Sequence, residues 1–238
     1  MRVGAVVALV GIALLVGLGL ALVANRPIPP SGAVSYVGRQ DLAPAEWAWD
    51  VGMAGGLPAG AVVVDGTWTV REEADAPGSG AAVCEVAGGP TGIMPLDFLL
   101  IDKRFPLLAL DAPTGPDLAI EVQFKLLSGN VDRAAGIAFR IRDEGNYYVV
   151  RANGLEANIN LYKFVDGRRS IMREARAEIP SGVWQTLSVE AQGTSIRWGL
   201  DGRPLGQVDD TTYETGGIGL WTKADSISCF AGLRIRAL

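Results

Sequence analysis

Residues 118–126 place a large apolar side chain at every second position: Leu118, Ile120, Val122, Phe124 and Leu126 alternate with Glu121, Gln123 and Lys125. A period of two is what a strand with one buried and one wetted face requires, and an α-helix cannot use it. The pattern recurs. Ile137, Phe139 and Ile141 alternate with Ala138, Arg140 and Arg142, which predicts both arginines on the face opposite the apolar one. Near the end, Ile227, Cys229, Ala231, Leu233 and Ile235 fill every second place. Further strands are expected at 67–71, 81–87, 184–191, 195–200 and 216–221, with turns at Asp65-Gly66, Gln192-Gly193 and Asp201-Gly202. Residues 96–109 are apolar without clean alternation, the mark of a buried segment. No stretch after residue 24 sustains a helical period and no repeat is evident. Strand signals about every 8 to 12 residues, with Gly-containing turns, predict an all-β fold, an antiparallel jelly-roll (concanavalin A-like) β-sandwich.

The stretch NYYVVRANGLEANINLYKFVDGRR, residues 146–169, is the best candidate for a ligand surface. Strands at 147–152 and 158–165 flank a polar connection, residues 153–157, and the second ends at Asp166-Gly167. Asp tolerates and Gly prefers the positive φ of a type I′ hairpin turn, so the unit reads as consecutive antiparallel strands. Alternation puts Tyr147, Arg151 and Asn153 on one side of the first strand, and Asn158, Asn160 and Tyr162 on one side of the second. If these sides coincide with that of Arg140, the concave face offers amide, guanidinium and phenol groups, the donors and acceptors that match sugar hydroxyls. The same arginines could instead pair across strands with Asp143 or Glu190. Trp221, Lys223 and Asp225 stand where a strand runs into a turn, a common place for binding groups. Trp221 there could stack on a sugar ring or pack in the core. Trp184 and Trp198 read as packing residues.

Histidine is absent from all 238 residues, which excludes Ser-His-Asp, Cys-His and His-metal chemistry. Catalysis would have to rest on carboxylates, Lys, Tyr or a metal held by oxygen ligands. No cofactor is evident; calcium held by Asp209, Asp210 or Asp225 with backbone carbonyls is the one metal site left open. Formal charge is −5, and −7 without Arg2 and Arg26, a balance that argues against a nucleic-acid partner.

Residues 3–24 carry no charge over 22 positions, and a helix of that length, at about 1.5 Å per residue, would cross a hydrocarbon core of about 30 Å. Cleavage after Ala24 would put Leu22 where a signal peptidase wants a small residue, so an uncleaved anchor is favoured over a cleaved signal. Pro27, Pro29 and Pro30 make a short stiff spacer. The expected organisation is an anchor or signal at 1–25, a linker at 26–35 and one sandwich domain at 36–238. It places the domain outside the cell membrane, held by a single N-terminal pass, or secreted. Cys84 and Cys229, both expected on the inward side of their strands, could form a disulfide or remain two buried thiols.

The central stretch, with PSGVWQTLSVEAQG and LDGRPLGQVDDTTYETGGIGLWTKADS, resembles the 3-keto-disaccharide hydrolase domain family, formerly a domain of unknown function. The resemblance spans residues 57–238 and implies a laminin-G-like jelly roll related to family 16 glycoside hydrolases. The paired-glutamate strand motif of those hydrolases, Glu-x-Asp-x-x-Glu, is missing: Glu73-Ala74-Asp75 begins one, but Ala76, Pro77 and Gly78 follow. What the resemblance implies is cleavage of an oxidised glycoside by elimination, which needs a base and a group that polarises the ketone. Glu156 is the candidate base and Arg151 or Lys223 the polarising partner. The expected function is a carbohydrate-directed domain that binds or cleaves a glycoside. Its alternative is a non-catalytic envelope module that binds polysaccharide or a protein partner.

Overall fold

The computed structural model describes residues 46–49, 51–52, 54–86 and 103–238. The apolar run 3–24, the Pro-rich spacer, the expected domain start at residue 36 and residues 96–102 of the apolar segment lie outside them. Among the described residues no helix is long and apolar enough to cross a membrane.

The strands, in chain order, are β1 (Trp47–Ala48), β2 (Ala61–Asp65), β3 (Trp68–Glu72), β4 (Ala81–Glu85), β5 (Leu107–Leu110), β6 (Leu118–Ser128), β7 (Ala134–Asp143), β8 (Asn146–Asn153), β9 (Asn158–Val165), β10 (Arg168–Arg176), β11 (Gln185–Gln192), β12 (Ser195–Leu200), β13 (Arg203–Asp209), β14 (Gly217–Trp221) and β15 (Ile227–Ala237). They form two antiparallel sheets packed as a sandwich. The first runs β13-β12-β11-β6-β15-β4-β3 with β1 added on β15, and the second runs β10-β9-β8-β7-β14-β5-β2. The alternating apolar set of β6 faces inward, meeting Ile137, Phe139, Tyr148, Val150, Ile159, Leu161 and Leu220 from the second sheet. Each such side chain removed from water contributes roughly 1.5–3 kcal/mol, which is why the alternation predicts these strands well. At the β9–β10 turn both Asp166 (φ 49°) and Gly167 (φ 73°) adopt positive φ, as a type I′ hairpin requires.

Two breaks in the period of two decide where the expected site residues and cysteines fall. In β7, Arg140 adopts φ 50°, and the pairing with β8 is irregular between Phe139 and Asp143. Gly216 fits against this bulge because a Cβ there would come within 2.4 Å of the Arg140 backbone. The bulge sends Ile141 to the outer face, with Tyr147 and Trp221, while Phe139 stays in the core. Arg140 thus leaves the face expected for it: its guanidinium is buried and donates to the carbonyls of Tyr213 (2.9 Å), Pro116 (2.8 Å) and Gly193 (2.8 Å). In β15 the register shifts between Ala231 and Arg234, around Gly232 at φ 58°. Phe230, Leu233 and Ile235 therefore point inward, whereas Cys229 and Ala231 point away from the sandwich core. Cys84 and Cys229 are cross-strand partners joined by a disulfide. They are buried, but in a small cluster on the outer side of the first sheet with Ala76 and Ala82, not on the inward side the alternation predicted.

Candidate functional site

The hairpin β8–β9 sets the site. Tyr147 pairs with Phe164, Val149 with Tyr162, Arg151 with Asn160 and Asn153 with Asn158, so all eight side chains share one face. Tyr148, Val150, Ala152, Ile159 and Leu161 take the opposite face and fill the core. The first set therefore lies on the outer face of the second sheet. Arg151 and Asn160 are there only 1% exposed.

At one end of this face the polar groups are dense. Arg151 Nη2 donates to Glu156 Oε2 (2.7 Å) and to Asn158 Oδ1 (2.7 Å), and Asn158 Nδ2 donates to the same carboxylate oxygen (3.2 Å). Asn160 Nδ2 donates to the Tyr162 hydroxyl (3.0 Å) and to Glu174 Oε2 (3.4 Å). Asp132 accepts from Asn153 Nδ2 (2.5 Å) and forms an ion pair with Lys223 (2.7 Å). Arg151 Nε and Asn160 Oδ1 are buried without a hydrogen-bond partner among the described residues. Leaving such atoms unmet costs about 1–3 kcal/mol each, so their retention calls for an explanation.

The local chain supports these groups. Asn153 Oδ1 accepts the N–H of Leu155 (2.8 Å) and of Glu156 (3.1 Å), closing the β8–β9 connection and aiming Glu156 back at Arg151. Asp225 takes the N–H groups of Asn130 (2.7 Å), Val131 (3.0 Å) and Asp132 (2.9 Å), which fixes the loop that carries Asp132. Asp225 is thus a positioning residue. Burial pushes the Asp132 carboxyl above its ordinary range, and the neighbouring Lys223 offsets this only in part. Burial acts on Glu156 in the same sense, but the charge and hydrogen bond of Arg151 and the Asn158 amide outweigh it and hold Glu156 below its ordinary range.

Of the residues expected at the site, Arg151, Asn153, Asn160, Tyr162, Glu156 and Lys223 come together here. Tyr147 lies toward the other end, where its hydroxyl accepts the Trp221 Nε1 hydrogen (3.3 Å). Trp221 is on the outer face yet fully covered, its ring stacked on Phe105 at 5.7 Å between centroids, so stacking on a sugar is not its part. Arg140 is elsewhere, as described. Asp210 is engaged by Tyr148 Oη, by Lys163 (2.6 Å) and by the Thr212 N–H (2.8 Å), and Asp225 by the loop amides. Among the described residues neither belongs to a group of three acidic or cysteine side chains. Among the described residues the one such cluster is Glu73 with Cys84 and Cys229, and those sulfurs are bonded to each other.

Asp132 and Arg169 were missed in the sequence. Asp132 sits in a loop with no periodic signal. Arg169 could have been found, because a two-residue turn at Asp166-Gly167 sets it opposite Phe164 and hence on the face of Tyr162. Its guanidinium carbon lies 4.8 Å from the Tyr162 ring centroid, and that of Arg151 lies 5.2 Å from the same centroid.

No protein-family model matches the chain, so the family resemblance drawn above rests on the quoted residues alone. Over 112 residues, 47% of this chain, it is 26% identical to the levanase of Bacillus subtilis (strain 168). The chain spans only 16% of that relative's length. Among solved structures it is similar to the carbohydrate-binding module CBM66 from Bacillus subtilis, with a TM-score of 0.61, 22% identity, and 75% of this chain and 96% of the other covered. It is also similar to the cellulose-induced protein Cip1, with a TM-score of 0.53, 14% identity, and coverage of 80% and 94%. At these identities the likeness is one of fold: an antiparallel β-sandwich that accounts for most of each neighbour.

Proposed function

We propose that this chain is a carbohydrate-binding module whose ligand surface is the outer face of β8 and β9, at Arg151, Asn158, Asn160 and Tyr162, flanked by Asp132 and Glu156. The observation that carries the reading is the cluster of guanidinium, amide, phenol and carboxylate groups on a sheet face turned away from the core, with the Glu156 side chain half-exposed at its edge. A sugar hydroxyl both accepts and donates, so it can donate to the Glu156 carboxylate, which Arg151 and Asn158 hold in place. The fold shared with CBM66 and the partial match to a levanase support the same reading and make levan the first polysaccharide to try.

Cleavage of a 3-keto-glycoside is the competing reading. It asks Glu156 to take a proton from carbon, and a carboxylate held below its ordinary pKa by Arg151 is a weaker base for that step than a free one. Binding without turnover fits the electrostatics better. In this reading residues 3–24 hold the domain on the outer side of a cell membrane, or are removed on secretion.

Calorimetric titration of the full chain against levan, cellulose and other glycans tests the reading, alongside incubation with 3-keto and unoxidised glucosides followed by mass spectrometry. Saturable binding to a glycan, lost in Arg151→Met and unaccompanied by product, is the expected result. Product that disappears in Glu156→Gln would replace the module with an enzyme. Binding to no glycan at all would remove both.

A further inference from the structure

Four residues along β8 from Arg151, the same sheet face opens into a cavity of about 510 Å³ beside the β7–β8 and β9–β10 turns. Its walls include the rings of Phe105, Tyr147 and Phe164, and its polar groups are Asp65, Lys103, Glu144 and Arg169. Arg169 is held flat: its guanidinium carbon lies 5.2 Å from the Phe105 centroid and 4.8 Å from the Tyr162 centroid. Two rings against a guanidinium leave its N–H edge as the part that can hydrogen-bond. On that edge Nη1 is buried without a partner among the described residues. Nη1 itself is covered, so the donor that the cavity wall presents is the rest of the partly exposed Arg169 guanidinium.

From these groups we infer that the cavity is a second sugar subsite, so that the face binds a run of linked sugars rather than a lone terminal unit. The inference rests on the carbohydrate reading above and names the length of ligand that reading requires. Two observations fix the chemistry as a neutral sugar. First, the lining charges balance, Lys103 and Arg169 against Asp65 and Glu144, so a carboxylated or phosphorylated unit gains from one pair what it loses to the other. Second, the set is mixed in the sense a hydroxyl needs. A guanidinium only donates and carboxylates only accept, so a hydroxyl oxygen can take the Arg169 hydrogen while its own hydrogen goes to a rim carboxylate. The aromatic walls suit the C–H faces of a sugar ring.

Geometry sets the length. Tyr147 on the cavity wall and Arg151 in the polar cluster are four residues apart on β8, about 13 Å along a strand. Tyr162 lies between, shared by the two arginines. A single sugar reaches one end only; an oligosaccharide reaches both, and its second contact is then intramolecular.

The test is calorimetric titration of the full chain with the monosaccharide and length-graded oligosaccharides obtained from levan by partial acid hydrolysis. Wild type, Arg169→Lys, Glu144→Gln and Arg151→Met are compared. Wild-type affinity should rise roughly tenfold from the monosaccharide to the longer fragments, the equivalent of one or two added hydrogen bonds. Arg169→Lys and Glu144→Gln should flatten that rise, and Glu144 is exposed, so its change tests the cavity without disturbing packing. Equal wild-type affinity at every length, or a rise that survives both substitutions, would overturn the inference while leaving the polar cluster as the site if Arg151→Met still abolishes binding. Failure of wild type to bind any fragment would overturn the levan reading and this inference with it.

Discussion

The outer faces of the two sheets carry similar residues and treat them differently. On the first sheet, Lys125 lies between Glu73 (2.8 Å) and Asp75 (2.7 Å) with the Trp184 ring 5.0 Å away, beside the disulfide and its alanine cluster. On the second sheet, Lys223 meets Asp132 and Arg151 meets Glu156, but Arg151 Nε, Asn160 Oδ1 and Arg169 Nη1 remain unmet among the described residues. Lys, acid and Trp on a sheet face are therefore no signature of a site by themselves. What separates the faces is degree: among the described residues the first leaves Trp184 Nε1 unmet, whereas the second leaves a guanidinium nitrogen on each of two arginines and an amide oxygen. The first is the more closed of the two faces, and the second the more open.

The largest effect should come from the closed face. The disulfide spans 145 residues, and in the chain-entropy model removing a loop constraint of that order costs about 5 kcal/mol. Cys84→Ala with Cys229→Ala should lower the urea midpoint accordingly, and protein still folded should keep its glycan affinity. A loss of affinity in the folded double variant would join the two faces and break the contrast.

Second comes Arg151→Met on the open face, expected to remove about 2–3 kcal/mol of glycan affinity, as truncation of a central anchoring arginine does. Calorimetry reads it directly. Unchanged affinity would show the unmet atoms to be structural.

Asp225→Asn should cost about 1–3 kcal/mol of stability, since the carboxylate serves three loop amides and an amide oxygen serves them less well. Burial tends to raise its pKa, but those N–H groups outweigh it and hold Asp225 below the ordinary carboxylate range. The sign follows. Its contribution is complete above the unfolded value, near 4, and is lost as pH falls through the depressed folded value. Urea midpoints measured from pH 7 down to 2 should show an acid limb that Asp225→Asn makes shallower. Asp132, raised by burial, contributes in the opposite sense, its ionisation weakening the fold as pH climbs past the unfolded value.

The smallest effect belongs to Lys125→Met. Replacing a buried ion pair whole by apolar side chains is often close to neutral, so made together with Glu73→Leu, and with Asp75 exposed and able to rehydrate, it should change stability within about 1 kcal/mol and leave glycan affinity intact. A large loss of affinity would mean that the first sheet's outer face also reads ligand.

Much of this was legible in the residues. The alternation of β6 and of the β8–β9 hairpin identified core and outer faces, and Asp166-Gly167 gave the turn, because burial on one face and φ at a turn are both local constraints. Parity failed where the backbone inserts a bulge. Arg140 and Gly232 each shift the count by one, which carried Arg140 off the expected face and Cys229 to the outer side of its sheet. Nothing in a period of two announces a bulge. The edge strand β10 went unread because RRSIMREAR is largely exposed, with no buried stripe to impose alternation. Asp132 was invisible for another reason: its place depends on Asp225, 93 positions away, holding its loop.

In the first sheet, β15 lies between β6 and β4. That order has a consequence for biosynthesis. Until residues 227–237 have been made, β6 and β4 have no common neighbour and each presents an unpaired edge to whatever is nearby. Nascent chains emerge at about 5–20 residues per second, so the sheet is exposed for as long as the remainder takes to follow. An emerging chain therefore gains from any escort that covers those two edges until β15 arrives.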